Sequence, residues 1–196
     1  MNVWHDTGDA TLAAIAEVLR RGGVALLPTD TIYGLHAVAA NDAAVARIAD
    51  LKGRADDKPF VVIGASADQL RAFGADVPAV LDGLWPAPLT AVMRRGAGTV
   101  AARVPDLDWL RALLITTGPL VSTSANRAGE PPISSIVALA KDVAAGVDAA
   151  LDLGRREGKP STIVDFTSSS PRLLREGDPL FAQNLRKTLR ISLRKT

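Results

Sequence analysis

Apolar and polar positions alternate along this chain with two periods, and the periods switch repeatedly. Leu12, Ile15, Ala16 and Leu19 recur at helical spacing, so a helix is predicted over Asp9 to Arg21, stopped by Gly22-Gly23. Val24 to Leu27 reads as a short buried strand broken by Pro28, and Thr31 to Val38 resumes an extended run. Asn41 caps a second predicted helix that buries Val45, Ile48 and Leu51 and stops at Gly53. Phe60 to Ile63 is a strand, and Ser66-Ala67-Asp68-Gln69 has the form of a capping box opening a helix to Phe73. Asp76, with Pro78 just inside, opens another helix that ends near Trp85-Pro86.

The second half continues the alternation. Leu89 to Arg94 and Thr99 to Val104 form two strands joined by a Gly-rich turn. Asp106 caps a helix through Leu114, Leu120 to Ser124 is a strand, and Ile136 to Val143 is helical. Ala149 to Leu153, Thr162 to Phe166 and Arg172 to Arg175 are three late strands. No helix separates them, which predicts a mixed parallel and antiparallel sheet in a single α/β domain with flanking helices. Phe181, Leu185, Leu189 and Leu193 recur every four residues, with Arg186, Arg190 and Arg194 one step later. We therefore expect a body over 1–181 and a basic, helical C-terminal tail over 182–196.

Composition narrows the chemistry. With 196 residues and 47% hydrophobic content, the chain can bury a real core and is not a disordered one. It has no cysteine, which removes disulfides, zinc-thiolate sites and thiol catalysis. Its two histidines, His5 and His36, are too few for a multi-histidine metal site. No apolar run reaches the ~18 residues a membrane span needs, and residues 1–9 lack the apolar region of a signal peptide, so a cytoplasmic address without membrane association is expected. The net charge of +2 is uneven: the tail holds five cations and no acid, leaving 18 cations against 21 acids, a net of −3, on residues 1–181. A globally basic nucleic-acid surface on the body is not supported.

Familiar nucleotide and nucleophile signatures fail. Gly154-Arg155-Arg156-Glu157-Gly158-Lys159 has three residues between its glycines where a P-loop has four, and Pro160 replaces the Ser or Thr that would hold magnesium. No G-x-G-x-x-G follows a strand. Ser122-Thr123-Ser124 lacks a nucleophile elbow, and the histidines are poor candidates for a base. What remains is a scattered set of hydroxyls and cations. Period-2 spacing groups Thr29, Thr31 and Tyr33 on one face, Thr99 and Arg103 on another, and Ser122 and Ser124 on a third. Lys52, Arg54 and Lys58 cluster at the end of the second helix, before Pro59. Such a set could grip an anionic, oxygen-rich ligand. The alternative is ordinary structure: cations at a helix C-terminus complement its dipole without any ligand, and Ser and Thr are common in strands. An Arg flanked by apolar strand residues is less ordinary, because once buried it needs an anionic partner.

Ordered motifs carry a family resemblance. They are Pro28-Thr29-Asp30-Thr31-Ile32-Tyr33-Gly34-Leu35, Lys52-Gly53-Arg54 with Lys58-Pro59, Trp85-Pro86-Ala87-Pro88-Leu89-Thr90, and Thr99-Val100-Ala101-Ala102-Arg103-Val104-Pro105. Pro119-Leu120-Val121-Ser122-Thr123-Ser124-Ala125-Asn126, Pro160-Ser161-Thr162-Ile163-Val164-Asp165 and Leu174-Arg175-Glu176-Gly177 complete the series. In this order, over residues 28–177, the chain resembles the YrdC/TsaC-type threonylcarbamoyl-AMP synthases, in their short, single-domain form.

The resemblance implies a twisted mixed sheet around a concave, basic cavity. It implies formation of threonylcarbamoyl-AMP and pyrophosphate from L-threonine, bicarbonate and ATP, the first step toward threonylcarbamoyladenosine in tRNA. It would place Thr31, Arg103, Ser122 and Ser161 around threonine, and Lys52, Arg54, Lys58, Thr99, Ser124, Asn126 and Arg175 around ATP. Mg²⁺ would be held mainly by the ATP phosphates, with no protein metal ligand and no covalent or acid–base residue. The partners implied are a downstream tRNA threonylcarbamoyl transferase complex, with tRNA or double-stranded RNA as a further candidate. Ala87, His36, Ile63 and Pro132 depart from residues common in the family. A YciO-like relative of other function, a double-stranded RNA-binding module and the related domain of hydrogenase-maturation proteins are the competing readings. Lys52, Arg54, Ser124 and Asn126 favour the synthase over the first. The acidic body weighs against the second, and the missing cysteines against the third.

Overall fold

Ten strands make one mixed sheet in the computed structural model, which describes residues 1–53 and 59–190; Arg54, Lys58 and the distal tail with Leu193, Arg194 and Lys195 lie outside the described residues. The strands are β1 (Asn2–Trp4), β2 (Ala25–Pro28), β3 (Tyr33–Val38), β4 (Val61–Ile63), β5 (Leu89–Arg95), β6 (Gly98–Arg103), β7 (Leu120–Ser124), β8 (Ala149–Leu151), β9 (Thr162–Asp165) and β10 (Arg172–Arg175). Their order across the sheet is β1-β8-β2-β3-β7-β4-β6-β5-β9-β10. The helices are α1 (Asp9–Arg20), α2 (Asp42–Lys52), α3 (Ala67–Ala72), α4 (Asp108–Thr117), α5 (Lys141–Ala145) and α6 (Pro179–Leu189).

The mixed sheet is as expected, and the successive strands β9 and β10 supply part of its antiparallel pairing. Of the late strands, β9 and β10 do pair antiparallel, with β9 parallel to β5, but β8 lies across the sheet between β1 and β2, parallel to both. The short strand β1 was not anticipated, because three residues at a sheet edge leave no periodic signal.

Local signals set most element ends. The Asn41 side chain accepts the Ala44 N–H, and Gly53 closes α2 in the left-handed region at φ 59°. The Ser66 side chain accepts the Gln69 N–H, and Gln69 reaches back to the Ala65 N–H at 2.7 Å. Three expectations are corrected. The segment after Asp76 is only a 3₁₀ turn over Ala79–Gly83, entered from Pro78. Leu107, not Asp106, precedes α4, and the Asp106 N–H donates to the Asp30 carboxylate at 3.3 Å. The predicted helix over Ile136 to Val143 is broken: a 3₁₀ turn covers Ile136–Ala138, extended backbone at Leu139 and Ala140 interrupts it, and α5 begins at Lys141.

Both faces of the sheet are packed. On one, α1 and α4 bring Ile15, Leu19, Leu110, Leu113 and Leu114 onto Ala25, Leu27, Ile63 and Leu120. On the other, Ile48 and Val143 cover Leu26, Leu35 and Val121, and a neighbouring cluster joins Leu70, Leu81 and Leu185 to Leu89, Met93, Ala102 and Val164. Strand register then decides where function can sit. Gly34, His36, Ser122, Ser124, Val61, Ala101, Arg103, Val92, Thr90 and Ile163 fall on the same face as the α1–α4 layer. That layer packs on Ile63 and Leu120, whereas Val61, Ser122 and Ser124 farther along the same strands line an open cavity.

Helix α6 starts at Pro179, with Asp178 accepting the Phe181 N–H, so one helix runs through the expected boundary between 181 and 182. Leu185 is 4% exposed and sits in the core cluster beside Leu89 and Val164, and Arg186 bonds Glu176 at 2.7 Å. Leu185→Ala is therefore expected to destabilise the protein by about 2–5 kcal/mol. An unchanged midpoint in urea would show that α6 contributes nothing to the core.

Candidate active site

The cavity has a volume of about 1050 Å³. Four segments deliver its polar groups.

The first is the turn between β2 and β3. Thr29 closes it: its hydroxyl donates to the Ile32 carbonyl at 2.8 Å and accepts from the Thr31 and Ile32 N–H groups at 3.2 Å. The Thr31 hydroxyl lies 2.9 Å from that of Thr29, and both residues line the cavity. Because these residues form a turn and not a strand, alternation fails at Tyr33. Its ring is wholly buried in the core and its hydroxyl donates to the Gly154 carbonyl at 2.7 Å, so it does not share a face with Thr31. Gly158 packs on the same turn. A Cβ there would lie 2.0 Å from the Thr31 carbonyl oxygen, so only glycine lets the 154–160 loop rest on Thr31.

Arg103, the last residue of β6, comes second. Its Nη1 donates to Asp30 Oδ1 at 2.6 Å, with both side chains buried. The partner that a buried strand arginine requires is therefore supplied by the turn itself. Among the described residues the other guanidinium nitrogens have no hydrogen-bond partner, and Arg103 lines the cavity. Burial pushes its pKa down, and the Asp30 carboxylate opposes that shift.

The third segment joins the end of α2 to β7. Lys52 Nζ donates to the Ser124 carbonyl at 2.8 Å and reaches Ser124 Oγ and Asn126 Oδ1, each at 3.4 Å. Asn126 Nδ2 donates to the carbonyls of Arg127 and Glu130 at 2.7 and 2.6 Å, and the Ala128 N–H donates to the Lys52 carbonyl. Lys52, Ser124 and Asn126 thus form one hydrogen-bonded unit on the cavity wall.

The fourth is β9–β10. Arg175 Nε and Nη2 donate to the Ser161 carbonyl at 3.1 and 2.9 Å, and Ser161 Oγ lies 2.7 Å from Thr90 Oγ1. Burial lowers the Arg175 pKa, and the charge of Arg103 lowers it further. Two guanidiniums that repel each other across one cavity favour an anion between them.

Of the candidates read from sequence, Thr31, Lys52, Arg103, Ser122, Ser124, Asn126, Ser161 and Arg175 line the cavity. Thr99 lies on the same face as Arg103 but is exposed near the β5–β6 turn, opposite Arg94 and outside the lining. Ile63 is wholly buried in the α1–α4 layer, whereas Pro132 lines the cavity. Asp30, Thr90 and His36 were not singled out for the site. Thr90 was within reach, since its period-2 register with Val92 puts both on the cavity face. Asp30 and His36 had no such signal, as each acts through a partner distant in sequence.

His36 is wholly buried, and its Nε2 lies 3.1 Å from Ser122 Oγ. The pair is not a nucleophile–base dyad. Burial, helped by the charge of Arg103, pushes the imidazole down to about 4 against the weaker opposing effect of the Gly34 and Ala25 backbone, and among the described residues no carboxylate orients its Nδ1. Among the described residues no three His, Cys, Asp or Glu side chains group as metal ligands, and no helix is long and apolar enough to cross a membrane.

Residues 17–177 match the Sua5/YciO/YrdC family model, described as telomere recombination. A threonylcarbamoyl-AMP synthase of Chromohalobacter salexigens is 38% identical over 84% of this chain and 96% of its own length. The synthase of Pyrococcus abyssi is 34% identical over 90% of this chain and 57% of its own length. The chain thus spans little more than half of that relative, and 54% of a Bacillus subtilis one. Among solved structures, Sua5 of P. abyssi complexed with L-threonine superposes with a TM-score of 0.83 at 31% identity, covering 95% of this chain and 59% of that one. YciO of E. coli shares the fold, with a TM-score of 0.78 at 24% identity over 90% of this chain and 94% of that one.

Proposed function

This chain belongs to the Sua5/YciO/YrdC family, and from that premise we propose that it is an L-threonylcarbamoyladenylate synthase, a nucleotidyltransferase acting on L-threonine, bicarbonate and ATP. The observation that carries this reading is the convergence of Arg103, Arg175 and the Lys52–Ser124–Asn126 unit with the hydroxyls of Thr31, Ser122 and Ser161 in one cavity. These groups can neutralise and orient several oxyanions without any covalent intermediate.

We assign Thr31, Arg103, Ser122 and Ser161 to threonine, with Arg103 on its carboxylate. Lys52, Arg54, Lys58, Thr99, Ser124, Asn126 and Arg175 are assigned to ATP. The neutral threonine amine attacks the carbon of bicarbonate or carbon dioxide to give a carbamate, with loss of water in the first case and of a proton to solvent in the second. A carbamate oxygen then attacks the α-phosphorus, and the bond to the β,γ-pyrophosphate breaks. Mg²⁺, if carried in on the ATP phosphates, would supply charge neutralisation there. Glu130 is the carboxylate among the described lining residues, and phosphate oxygens and water make up an octahedral shell that one side chain cannot. The product is a mixed anhydride that water hydrolyses readily. A cytoplasmic transferase acting on tRNA must therefore receive it promptly, and the cations of α6 and the tail are the part of the chain suited to RNA.

The test is incubation with ATP, Mg²⁺, bicarbonate and labelled threonine, followed by a search for labelled threonylcarbamoyl-AMP and pyrophosphate. The absence of both products from a folded protein would overturn the reading, leaving a YciO-like relative. Threonine should exceed valine by roughly 10- to 100-fold in kcat/KM, because buried hydroxyls aimed at the substrate lose a partner with the isostere. Serine, lacking only a methyl, should lose about 1–3 kcal/mol. Equal turnover of valine and threonine would contradict the assignment of the hydroxyls.

A further inference from the structure

We propose that His36 is a positioning residue that holds the Ser122 hydroxyl with its O–H directed into the cavity, and so sets affinity for the carboxylate end of the amino-acid substrate. The inference rests on the reading of Ser122 as a threonine contact.

His36 and Ser122 are cross-strand partners of β3 and β7, on the face that forms the cavity. Direct pairing fixes the side chains side by side, so their 3.1 Å contact is set by strand register. Only Ser122 reaches the cavity, since His36 is fully buried beneath it. Gly34 makes that arrangement possible. A Cβ at Gly34 would lie 2.8 Å from His36 Cε1 and 3.0 Å from the Thr123 carbonyl oxygen, so the imidazole fits only because position 34 has no side chain.

The hydrogen-bond inventory decides the direction of the bond. His36 Nδ1 is buried and has no hydrogen-bond partner of standard geometry, although the nearby backbone of Gly34 and Ala25 weakly favours a protonated ring. An orphaned buried N–H is costlier than an orphaned lone pair, which assigns the ring proton to Nε2. Nε2–H then donates to Ser122 Oγ. The serine's own proton is left to find an acceptor, and the cavity is where one can enter. The neighbouring Arg103 presents only donors. A carboxylate, which only accepts, matches both groups; an ammonium matches neither. His36 remains a neutral donor over the working pH range because burial opposes its protonation.

The experiment measures KM for L-threonine and for ATP in the wild type, His36→Leu, His36→Gln, Ser122→Ala and the His36→Leu/Ser122→Ala double variant, with threonine binding by calorimetry alongside. His36→Leu should raise the threonine KM about 5- to 10-fold, the value of one neutral hydrogen bond, and leave the ATP KM within about twofold. His36→Gln, whose amide can donate from a similar position, should recover most of the loss. The double variant should match Ser122→Ala alone, because His36 acts through that hydroxyl. A threonine KM unchanged in His36→Leu would overturn the proposal, as would losses that add in the double variant or fall equally on ATP. If His36→Leu does not fold, His36→Gln against Ser122→Ala carries the same comparison: a glutamine variant as impaired as Ser122→Ala overturns it. A wild type that neither binds nor uses threonine would instead overturn the functional reading beneath it.

Discussion

Arg103→Ala is expected to raise the threonine requirement by roughly 30- to 1,000-fold, about 2–4 kcal/mol, while changing the ATP requirement far less. The guanidinium is 4% exposed and, among the described residues, bonds only Asp30, through Nη1, so its remaining N–H groups can clasp a carboxylate. Alanine removes that clasp and also strands Asp30, a buried carboxylate, which by itself can destabilise a protein by about 3–5 kcal/mol. The two losses are separated by combining Arg103→Met with Asp30→Asn. Removing both charges restores much of the stability, and threonine use should stay lost. A doubly substituted protein that folds and keeps its threonine KM would take Arg103 out of the site.

Lys52→Met should be the counterpart on the nucleotide side, with the ATP KM raised by roughly 30- to 1,000-fold and the threonine affinity nearly kept. Lys52 is 5% exposed, and its ammonium holds the Ser124 carbonyl beside the oxygen of Asn126. Methionine keeps the volume but removes the Nζ donor to the Ser124 carbonyl, so some fall in melting temperature is expected and ATP binding is measured on protein shown to be folded. A loss of ATP affinity with threonine binding retained is the signature of a ligand-directed ammonium. Normal ATP binding by calorimetry would make Lys52 a strut between α2 and the loop after β7, and nothing more.

Much of the fold was legible because it depends on neighbours in sequence. The Asn41 and Ser66 caps and the glycine stop at Gly53 work within one turn of chain, and each stands where it was expected. The misjudged elements are ones whose local signals pointed to a helix start or an unbroken helix that did not form. Asp106 stands one residue before the observed N-cap, Leu107. The stretch from Ile136 breaks at Leu139 and Ala140, although its apolar spacing suits an unbroken helix.

The site divides along the same line. The sequence by itself determined which chemistry is available: hydroxyls, guanidiniums and amines, no thiol, and motifs in a family order spanning residues 28–177. It also determined that Arg103 would need an anion, since a charged side chain on an apolar strand cannot be buried alone. Tertiary structure alone decided which anion, because Asp30 and Arg103 are 73 residues apart. It decided too that Thr31 parts company with Tyr33 and that Thr99 stays outside the cavity. The pairing of His36 with Ser122 across two strands was likewise its work. Periodicity reports which side of an element a residue faces. What lies opposite is set by strand order and register, which pair segments far apart in the chain and leave no mark at either position alone.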